Sequence, residues 1–194
     1  MDNTTILVAL GVIVVIAIAA LAVWQAQKSR RLQHKFGAEY DRTVGDAGGR
    51  RRAEAELAER EKRVRAMEIR PLSTVDRARF VEEWRRVQAE FVDDPKRATV
   101  SADRLLGDVM ATRGYPVSDF AQRAQDLSVD HPEVVENYRL GHEIALAHER
   151  GDADTEDLRQ AMVHFRALFE ELVEDPTPYR ASGGSRPESS HVRH

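Results

Sequence analysis

The feature that most constrains this chain is an uncharged apolar run near its start. Residues Ile6 to Trp24 read ILVALGVIVVIAIAALAVW, nineteen residues without a charge or a proline. As a helix that rises about 1.5 Å per residue, a run of this length covers about 28 Å, which is close to the hydrocarbon thickness of a bilayer. We therefore predict a transmembrane helix over residues 6–24, preceded by a short extracytoplasmic N-terminus at residues 1–5.

The residues on either side of this run give the predicted helix a direction. Asp2 precedes the run, and the basic residues that flank the membrane all follow it, at Lys28, Arg30, Arg31 and Lys35. Basic flanks of membrane helices stay in the cytoplasm. The charge asymmetry thus predicts an uncleaved single-pass anchor in the cell (inner) membrane, with the N-terminus outside and the C-terminal domain in the cytoplasm.

A cleaved secretory signal peptide is the alternative interpretation of the same run. Ala17-Ile18-Ala19 and Ala20-Leu21-Ala22 both have the small-x-small pattern of a cleavage site. The chain would then be secreted. Against this, the first five residues lack Lys and Arg, and the apolar run is longer than the core of a typical signal peptide.

Composition limits the class of protein that follows the anchor. The 33 acidic residues outnumber the 29 basic ones, which argues against a nucleic-acid-binding protein. The absence of cysteine excludes disulfides, thiolate metal sites and thiol catalysis. Charged residues make up 32% of the chain and aromatic residues only 6%, a balance that favours helices with solvated faces over a sheet protein.

Residues 25–71 are predicted to form a basic juxtamembrane segment followed by a charged helical stalk. Leu32, Phe36 and Tyr40 recur every four residues on an otherwise polar helix. This stripe either lies on the anionic inner leaflet or belongs to a segment whose charges only set the topology. We favour the second interpretation, because Glu39 and Asp41 dilute the positive charge.

A glycine-rich break at residues 45–49 interrupts this stalk, since three glycines in five residues hold a helix poorly. The charged segment after the break, rich in Ala, Glu and Arg, carries a thin apolar stripe of the kind seen in coiled coils, and Arg60 interrupts that stripe. Pro71 is expected to end the segment, because the residue before a proline is pushed out of the helical region.

Capping residues, among them Ser73, Asp94 and Ser118, divide residues 72–175 into helices together with the apolar periodicity. No segment alternates with period two for long enough to be a strand. We predict an all-α protein in which an antiparallel bundle of four main helices and one short helix follows the anchor and the charged linker helix. The remaining residues, 176–194, are rich in Pro, Gly and Ser and are predicted to be disordered. The apolar faces are carried by Phe80, Trp84, Val87 and Phe91; Ala98, Ala102, Leu105, Leu106, Val109 and Met110; Phe120, Ala124 and Leu127; Val134, Val135, Tyr138, Leu140, Ile144, Ala145 and Leu146; and Leu158, Ala161, Met162, Phe165, Leu168, Phe169 and Leu172.

Several segments together resemble an uncharacterised family of small α-helical bacterial proteins. They are FGAEYDRTV (36–44), RRAEAELAEREKRV (51–64), FVDDP (91–95), RGYP (113–116), DLSVDHP (126–132) and TEDLRQAMVHFRALFEELV (155–173). Members of that family are helical and often carry a membrane anchor at the N-terminus. The resemblance implies a bacterial origin, and it implies no activity, ligand or catalytic residue.

Nothing in the sequence matches a known catalytic, cofactor or metal motif. His142 and His148 are six residues apart and face different sides of a helix, so they do not form the Glu-x-x-His spacing of a helical metal site. We therefore assign no catalytic, cofactor-binding or metal-ligating residue; the sequence favours a protein without enzyme activity and leaves an enzyme open as an alternative. Tyr115, Tyr138 and His142 are candidates for lining a pocket.

Three functional hypotheses follow. The first is a membrane-anchored adaptor whose cytoplasmic domain binds a protein partner near the inner membrane. The second is a small-ligand binder or enzyme with a polar pocket between helices near Tyr138 and His142. The third is a structural role through self-association of the membrane helix. The lipid bilayer is a partner in all three, and a specific nucleic acid in none.

Overall fold

A computed structural model describes the backbone of residues 3–174 and the side chains of residues 11–174. Within this part the chain is 84% helical and contains no strand. The prediction of an all-helical protein is confirmed. The tail predicted at residues 176–194, and Met1 and Asp2, lie outside the described residues.

Helix α1 is one continuous helix from Asn3 to Phe36. Its portion Gly11–Phe36 is long and apolar enough to cross a membrane, a property that N-terminal signal sequences share. The large apolar side chains from Val12 to Trp24 are all more than half exposed. The apolar run at residues 6–24 is therefore the first part of a longer helix that continues without a break into the polar region.

Two short connections fold the next helices back along α1. Gly37, with φ at 51°, separates α1 from α2 (Ala38–Asp46). Gly48 and Gly49, with φ at 67° and 153°, form the turn that leads into α3 (Arg50–Arg65). Positive φ values of this kind are open to glycine and costly for other residues. The glycine-rich break at residues 45–49 is thus the end of α2 and a tight turn.

The three N-terminal helices share a small hydrophobic core with Val129. Its members are Leu32, Phe36, Tyr40, Leu57, Val64 and Val129. The stripe of Leu32, Phe36 and Tyr40 is at most 3% exposed, so it faces protein and is not available to a lipid surface.

Helices α1 and α3 run in the same direction. Ser29 contacts the carboxylate of Glu54, and Lys35 Nζ lies 2.7 Å from Glu61 Oε1. The contacting residues therefore occur in the same order along α1 and along α3. The N-terminal end of α3, at Arg50, consequently lies beside the end of the apolar part of α1.

Five further helices follow: α4 (Thr74–Asp93), α5 (Pro95–Arg113), α6 (Phe120–Asp130), α7 (Val135–Arg150) and α8 (Thr155–Glu174). The side chains of Ser73 and Asp94 cap α4 and α5 as the sequence predicts, each accepting a backbone N–H three residues on. Helix α6 is capped by Asp119, one residue later than the Ser118 cap that the sequence predicts.

These five helices enclose the main hydrophobic core. Helix α8 packs on α7 and α5, and α4 packs on α5. Met67 and Ile69, in the segment between α3 and α4, pack against both the main core and the small core. The charged segment predicted as a stalk is therefore packed against the rest of the domain. The main core consists of Leu72, Phe80, Trp84, Val87, Ala102, Leu105, Leu106, Val109, Met110, Tyr115, Ala124, Leu127, Val135, Tyr138, Met162, Phe165, Leu168, Phe169, Leu172 and Val173.

Candidate functional site

A buried carboxylate joins the N-terminal helices to the main bundle. The Glu39 side chain on α2 is only 2% exposed, and its Oε1 accepts hydrogen bonds from Arg60 Nη1 on α3 and Arg139 Nη2 on α7, both at 2.7 Å. Arg60 also pairs with Glu56, so two guanidinium groups face two carboxylates. Burial lowers the pKa of Arg139, and Glu39 opposes that shift. This arrangement fastens three helices together.

A second ion pair, between Arg63 and Asp126, connects α3 to α6. Arg63 Nε donates to Asp126 Oδ1 at 2.9 Å, and the Asp126 side chain is almost fully buried. Gln122 donates to the same oxygen from one turn earlier in α6. Removing one partner of a buried ion pair leaves an uncompensated charge, so such pairs resist separation once formed.

Tyr138 and His142 lie one turn apart on α7, and both rings contact the Phe120 ring. The His142 and Phe120 rings stack with centroids 3.6 Å apart, and the Tyr138 ring is tilted against Phe120 at 4.8 Å. Phe120 opens α6, which is brought here by the turn that follows α5. The structure thus places two of the three predicted pocket residues in one group.

An ion pair lies next to this aromatic group. Arg123 on α6 and Asp103 on α5 approach to 3.5 Å, and the Arg123 guanidinium is 5.8 Å from the centre of the Tyr138 ring. Arg123 passes over Gly107, where an added Cβ would lie 2.7 Å from its Nη1 atom. Glycine at position 107 therefore leaves the space that the guanidinium occupies.

Three buried polar atoms of this group make no hydrogen bond of normal geometry within the described residues. They are Asp103 Oδ1, Arg123 Nε and Tyr138 Oη. Burial and the neighbouring Asp103 carboxylate raise the pKa of the Tyr138 hydroxyl, so it is protonated at any physiological pH. Burial is also the main cause that lowers the pKa of His142. The group offers a neutral hydroxyl, a largely neutral imidazole and an ion pair to a polar ligand.

Tyr115, the third predicted pocket residue, faces a different group. Its ring is buried in the main core, and its hydroxyl lies 3.3 Å from Asp130 Oδ2 at the end of α6. Burial raises the pKa of Asp130, although His131 and other neighbouring charges oppose the shift. Beside it, His131 Nδ1 lies 3.0 Å from Glu171 Oε1. Tyr115 therefore contributes to the junction of α6 and α8.

The four basic residues that follow the apolar run, Lys28, Arg30, Arg31 and Lys35, have different surroundings. Lys35 and Arg31 both approach Glu61 on α3, at 2.7 and 3.4 Å. Lys28 lies over the Trp24 ring, with its Nζ 5.9 Å from the ring centre, and Arg30 is exposed. Lys28, Arg30 and Arg31 thus remain exposed at the end of the apolar run, whereas Lys35 is held against α3.

No group of three or more His, Asp or Glu side chains in the described part of the chain is arranged to hold a metal ion.

Sequence patterns did not identify Glu39, Arg139, Asp103 or Arg123 as members of these groups. One signal was present, because Arg60 occupies a position of the apolar stripe formed by its neighbours on α3. A charged residue on a buried stripe indicates a buried partner. The residues around Arg60 in the sequence do not show which residue that partner is. The partner is Glu39, and Glu39 also binds Arg139, which is 100 residues away in the chain.

Comparison of the chain with protein-family models, with curated proteins and with solved structures found no match to any of them.

Proposed function

We propose that this protein is a membrane-anchored helical module that binds a protein partner at the cytoplasmic face of the inner membrane. The observation that carries the proposal is the continuity of α1. Its exposed apolar side chains extend to Trp24, and its side chains at Leu32 and Phe36 are buried in the small core. A helix with exposed apolar side chains at its N-terminal end and buried side chains at its C-terminal end is suited to join a membrane to a folded domain.

The continuity of α1 also restricts how the domain can move relative to the anchor. A flexible joint at residues 45–49 would let the domain move freely below the membrane. Instead, the buried contacts of α1 with α2 and α3 hold the domain at a set distance and orientation relative to the anchor. A partner at the membrane surface would accordingly meet one particular face of the domain.

A shallow groove between α4 and α8 is our candidate for the partner surface. It has a volume of about 180 Å³ and is lined by Gln88, Phe91, Arg159, Met162, Val163 and Arg166. Val163 is 49% exposed although it is apolar. An apolar floor with a charged rim is the usual composition of a site for another protein.

Two experiments test this proposal. A topology reporter fused after His194 should give a cytoplasmic signal, because the basic flank follows the apolar run. A photo-crosslinking residue at Val163 should capture a discrete protein in native membranes, and the same residue at the exposed Val75 of α4 should not. An external reporter signal would reject the cytoplasmic location, and equal results at Val163 and Val75 would reject the partner surface.

A small-ligand site between α5, α6 and α7 is the second candidate function. It is favoured by the buried atoms Asp103 Oδ1 and Arg123 Nε, which have no hydrogen-bond partner among the described residues and leave hydrogen-bonding capacity for a polar ligand. Thermal-shift screening of the protein with metabolites and metal ions tests it, since a ligand at a hundredfold its dissociation constant adds about 2.7 kcal/mol of stability. A complete screen without a shift would reject this candidate.

Two further proposals concern origin and assembly. The resemblance to bacterial anchored proteins supports a bacterial origin. Self-association through α1 is a structural alternative to partner binding, and a two-hybrid assay of the anchor alone tests it.

A further inference from the structure

A groove of about 470 Å³ lies where the apolar part of α1 ends. One wall is formed by α1 and the other by the first turns of α3. It is lined by Ala22, Trp24, Gln25, Ala26, Lys28, Ser29, Arg50, Arg51, Glu54 and Ala55. The groove exists because α3 runs in the same direction as α1 and begins beside its apolar end.

The charges in the groove are predominantly positive. Lys28, Arg50 and Arg51 face a single carboxylate, that of Glu54. Burial raises the pKa of Glu54, but hydrogen bonds from Ser29, Tyr40 and Arg50 outweigh it and lower that pKa. Glu54 is therefore ionised near neutral pH, and the groove retains two positive charges in excess.

One of these cations is held in place by the protein. Arg50 Nε donates to Tyr40 Oη at 2.9 Å and to Glu54 Oε1 at 3.1 Å. The terminal Nη atoms of Arg50 make no hydrogen bond within the described residues. The guanidinium is thus positioned through one nitrogen, and its two terminal nitrogens remain available to an anion.

The location of the groove at the end of the apolar run indicates which kind of anion it binds. Trp24, the last residue of the apolar run, forms one end of the groove, and tryptophan side chains prefer the level of lipid headgroups. We infer that the groove between α1 and α3 binds the phosphate of an anionic phospholipid headgroup. This inference rests on the proposed membrane anchoring and adds a ligand class and a site to it.

Trp24 provides a direct probe of the groove. The chain contains two tryptophans, Trp24 and Trp84, and Trp84 lies in the main core against Phe169. In full-length protein carrying W84F, which retains an aromatic ring in the core, the fluorescence of Trp24 reports on the groove alone. Detergent micelles containing the protein are titrated with dioctanoyl phosphatidylglycerol, with dioctanoyl phosphatidylcholine and with inorganic phosphate.

The expected result is a saturable fluorescence change with phosphatidylglycerol and none with phosphatidylcholine of the same chain length. Replacing Arg50 and Arg51 with Gln (R50Q, R51Q) should weaken that binding by roughly tenfold to thirtyfold, as expected for two lost charges near a lipid phosphate. The matched control is R85Q with R86Q, which removes two charges from exposed positions of α4 and should leave binding unchanged.

Three outcomes would overturn the inference: equal responses to the two lipids, unchanged binding by the Arg50 and Arg51 variant, or saturation by inorganic phosphate with no preference for phosphatidylglycerol. K28Q changes an exposed side chain and serves as a second variant if the double variant fails to fold by circular dichroism; it should also weaken binding. The reporter fused after His194 tests the anchoring separately. A cytoplasmic signal without lipid selectivity therefore rejects this site and leaves the proposed function standing.

Discussion

At the scale of single residues, the buried charges have the largest energetic consequences. Glu39 accepts hydrogen bonds from two arginines inside the protein, and each guanidinium has been removed from water to reach it. Buried pairs of this kind add little net stability compared with apolar residues, yet breaking them by removing one partner is costly. Their main effect is to fix which helices meet.

Replacing Glu39 with Gln should lower the free energy of unfolding by roughly 3 kcal/mol, because Arg139 loses its buried counter-charge. Urea denaturation followed by circular dichroism measures the change. Glu136→Gln is the matched control, since Glu136 is exposed and only 3.8 Å from Arg42, an arrangement worth about 1 kcal/mol or less. Equal midpoints for the two variants would contradict the importance of the buried network.

Gly114 is a second residue whose identity is dictated by its surroundings. It ends α5 with φ at 102°, and an added Cβ would lie 2.4 Å from the carbonyl oxygen of Glu68. Gly114→Ala should therefore destabilise the protein by at least about 1 kcal/mol. Gly45→Ala should instead be neutral or stabilising by up to about 1 kcal/mol, because Gly45 is helical with no described atom within 4 Å of the added Cβ. Thermal unfolding should show a lower midpoint temperature for Gly114→Ala and an unchanged or higher one for Gly45→Ala.

The structure shifts the titration of His142. Burial lowers its pKa below the ordinary value of about 6.5, so the unfolded chain binds a proton at a higher pH than the folded protein does. Its contribution to stability is then fully present above about pH 6.5 and decreases as the pH falls toward the folded-state pKa. An NMR titration, with the signal assigned by comparison with His142→Asn, should give a midpoint below 6.5. A midpoint at or above that value would contradict the packing against Phe120.

At the scale of elements, the decisive arrangement is the folding back of α2 and α3 along α1. Seen as isolated segments, residues 25–71 have the composition of a solvated stalk, rich in Arg, Glu and Ala. The large apolar residues are few, yet all of them are buried or partly buried, because three thin stripes meet in one small core. A weakly amphipathic helix can thus be fully integrated when its neighbours present matching stripes.

Cysteine cross-linking tests this arrangement, and the chain has no cysteine of its own to interfere. Ser29→Cys with Glu54→Cys should be linked by a short bifunctional thiol reagent, since the Ser29 and Glu54 side chains are in contact and the reagent replaces the length of the glutamate side chain. Ser29→Cys with Lys62→Cys should not, because Lys62 is exposed and lies more than two turns further along α3. Mass spectrometry of tryptic peptides detects the link. Equal yields from the two pairs would indicate a mobile stalk.

At the scale of the whole molecule, the apolar part of α1 and the folded domain are structurally separable although they share one helix. The first fully buried side chain of α1 among residues 11–36 is Leu32, which follows both predicted cleavage sites. Cleavage after Ala19 or Ala22 would therefore leave the small core intact. The anchor and secretion hypotheses differ in where the domain is located and agree on its fold.

Intact mass distinguishes these hypotheses. Protein purified from its native membrane should have the full-length mass of about 21.9 kDa, because the N-terminus lacks the basic residues of a signal peptide. It should also remain in the pellet after alkaline carbonate extraction. A mass reduced by the first 19 or 22 residues, together with recovery from the soluble fraction, would favour secretion.

The sequence by itself determined the features that depend on neighbours along the chain. The apolar run of α1 is visible as composition, and the beginnings of α4 and α5 are visible in Ser73 and Asp94, because capping acts over three residues. Periodicity located the apolar faces of α4, α5 and α8 for the same reason. These are local interactions, so their signals are local.

Only the tertiary structure decided what the charged residues do. Glu39 meets Arg139 across 100 positions, Arg63 meets Asp126 across 63, and Arg50 reaches the end of the apolar run because α3 returns beside α1. Sequence patterns identified none of these pairs, since a charged residue on a helix has the same local signature whether it faces water or a buried partner. The partner is selected by how the helices pack, and that choice depends on the two hydrophobic cores acting together.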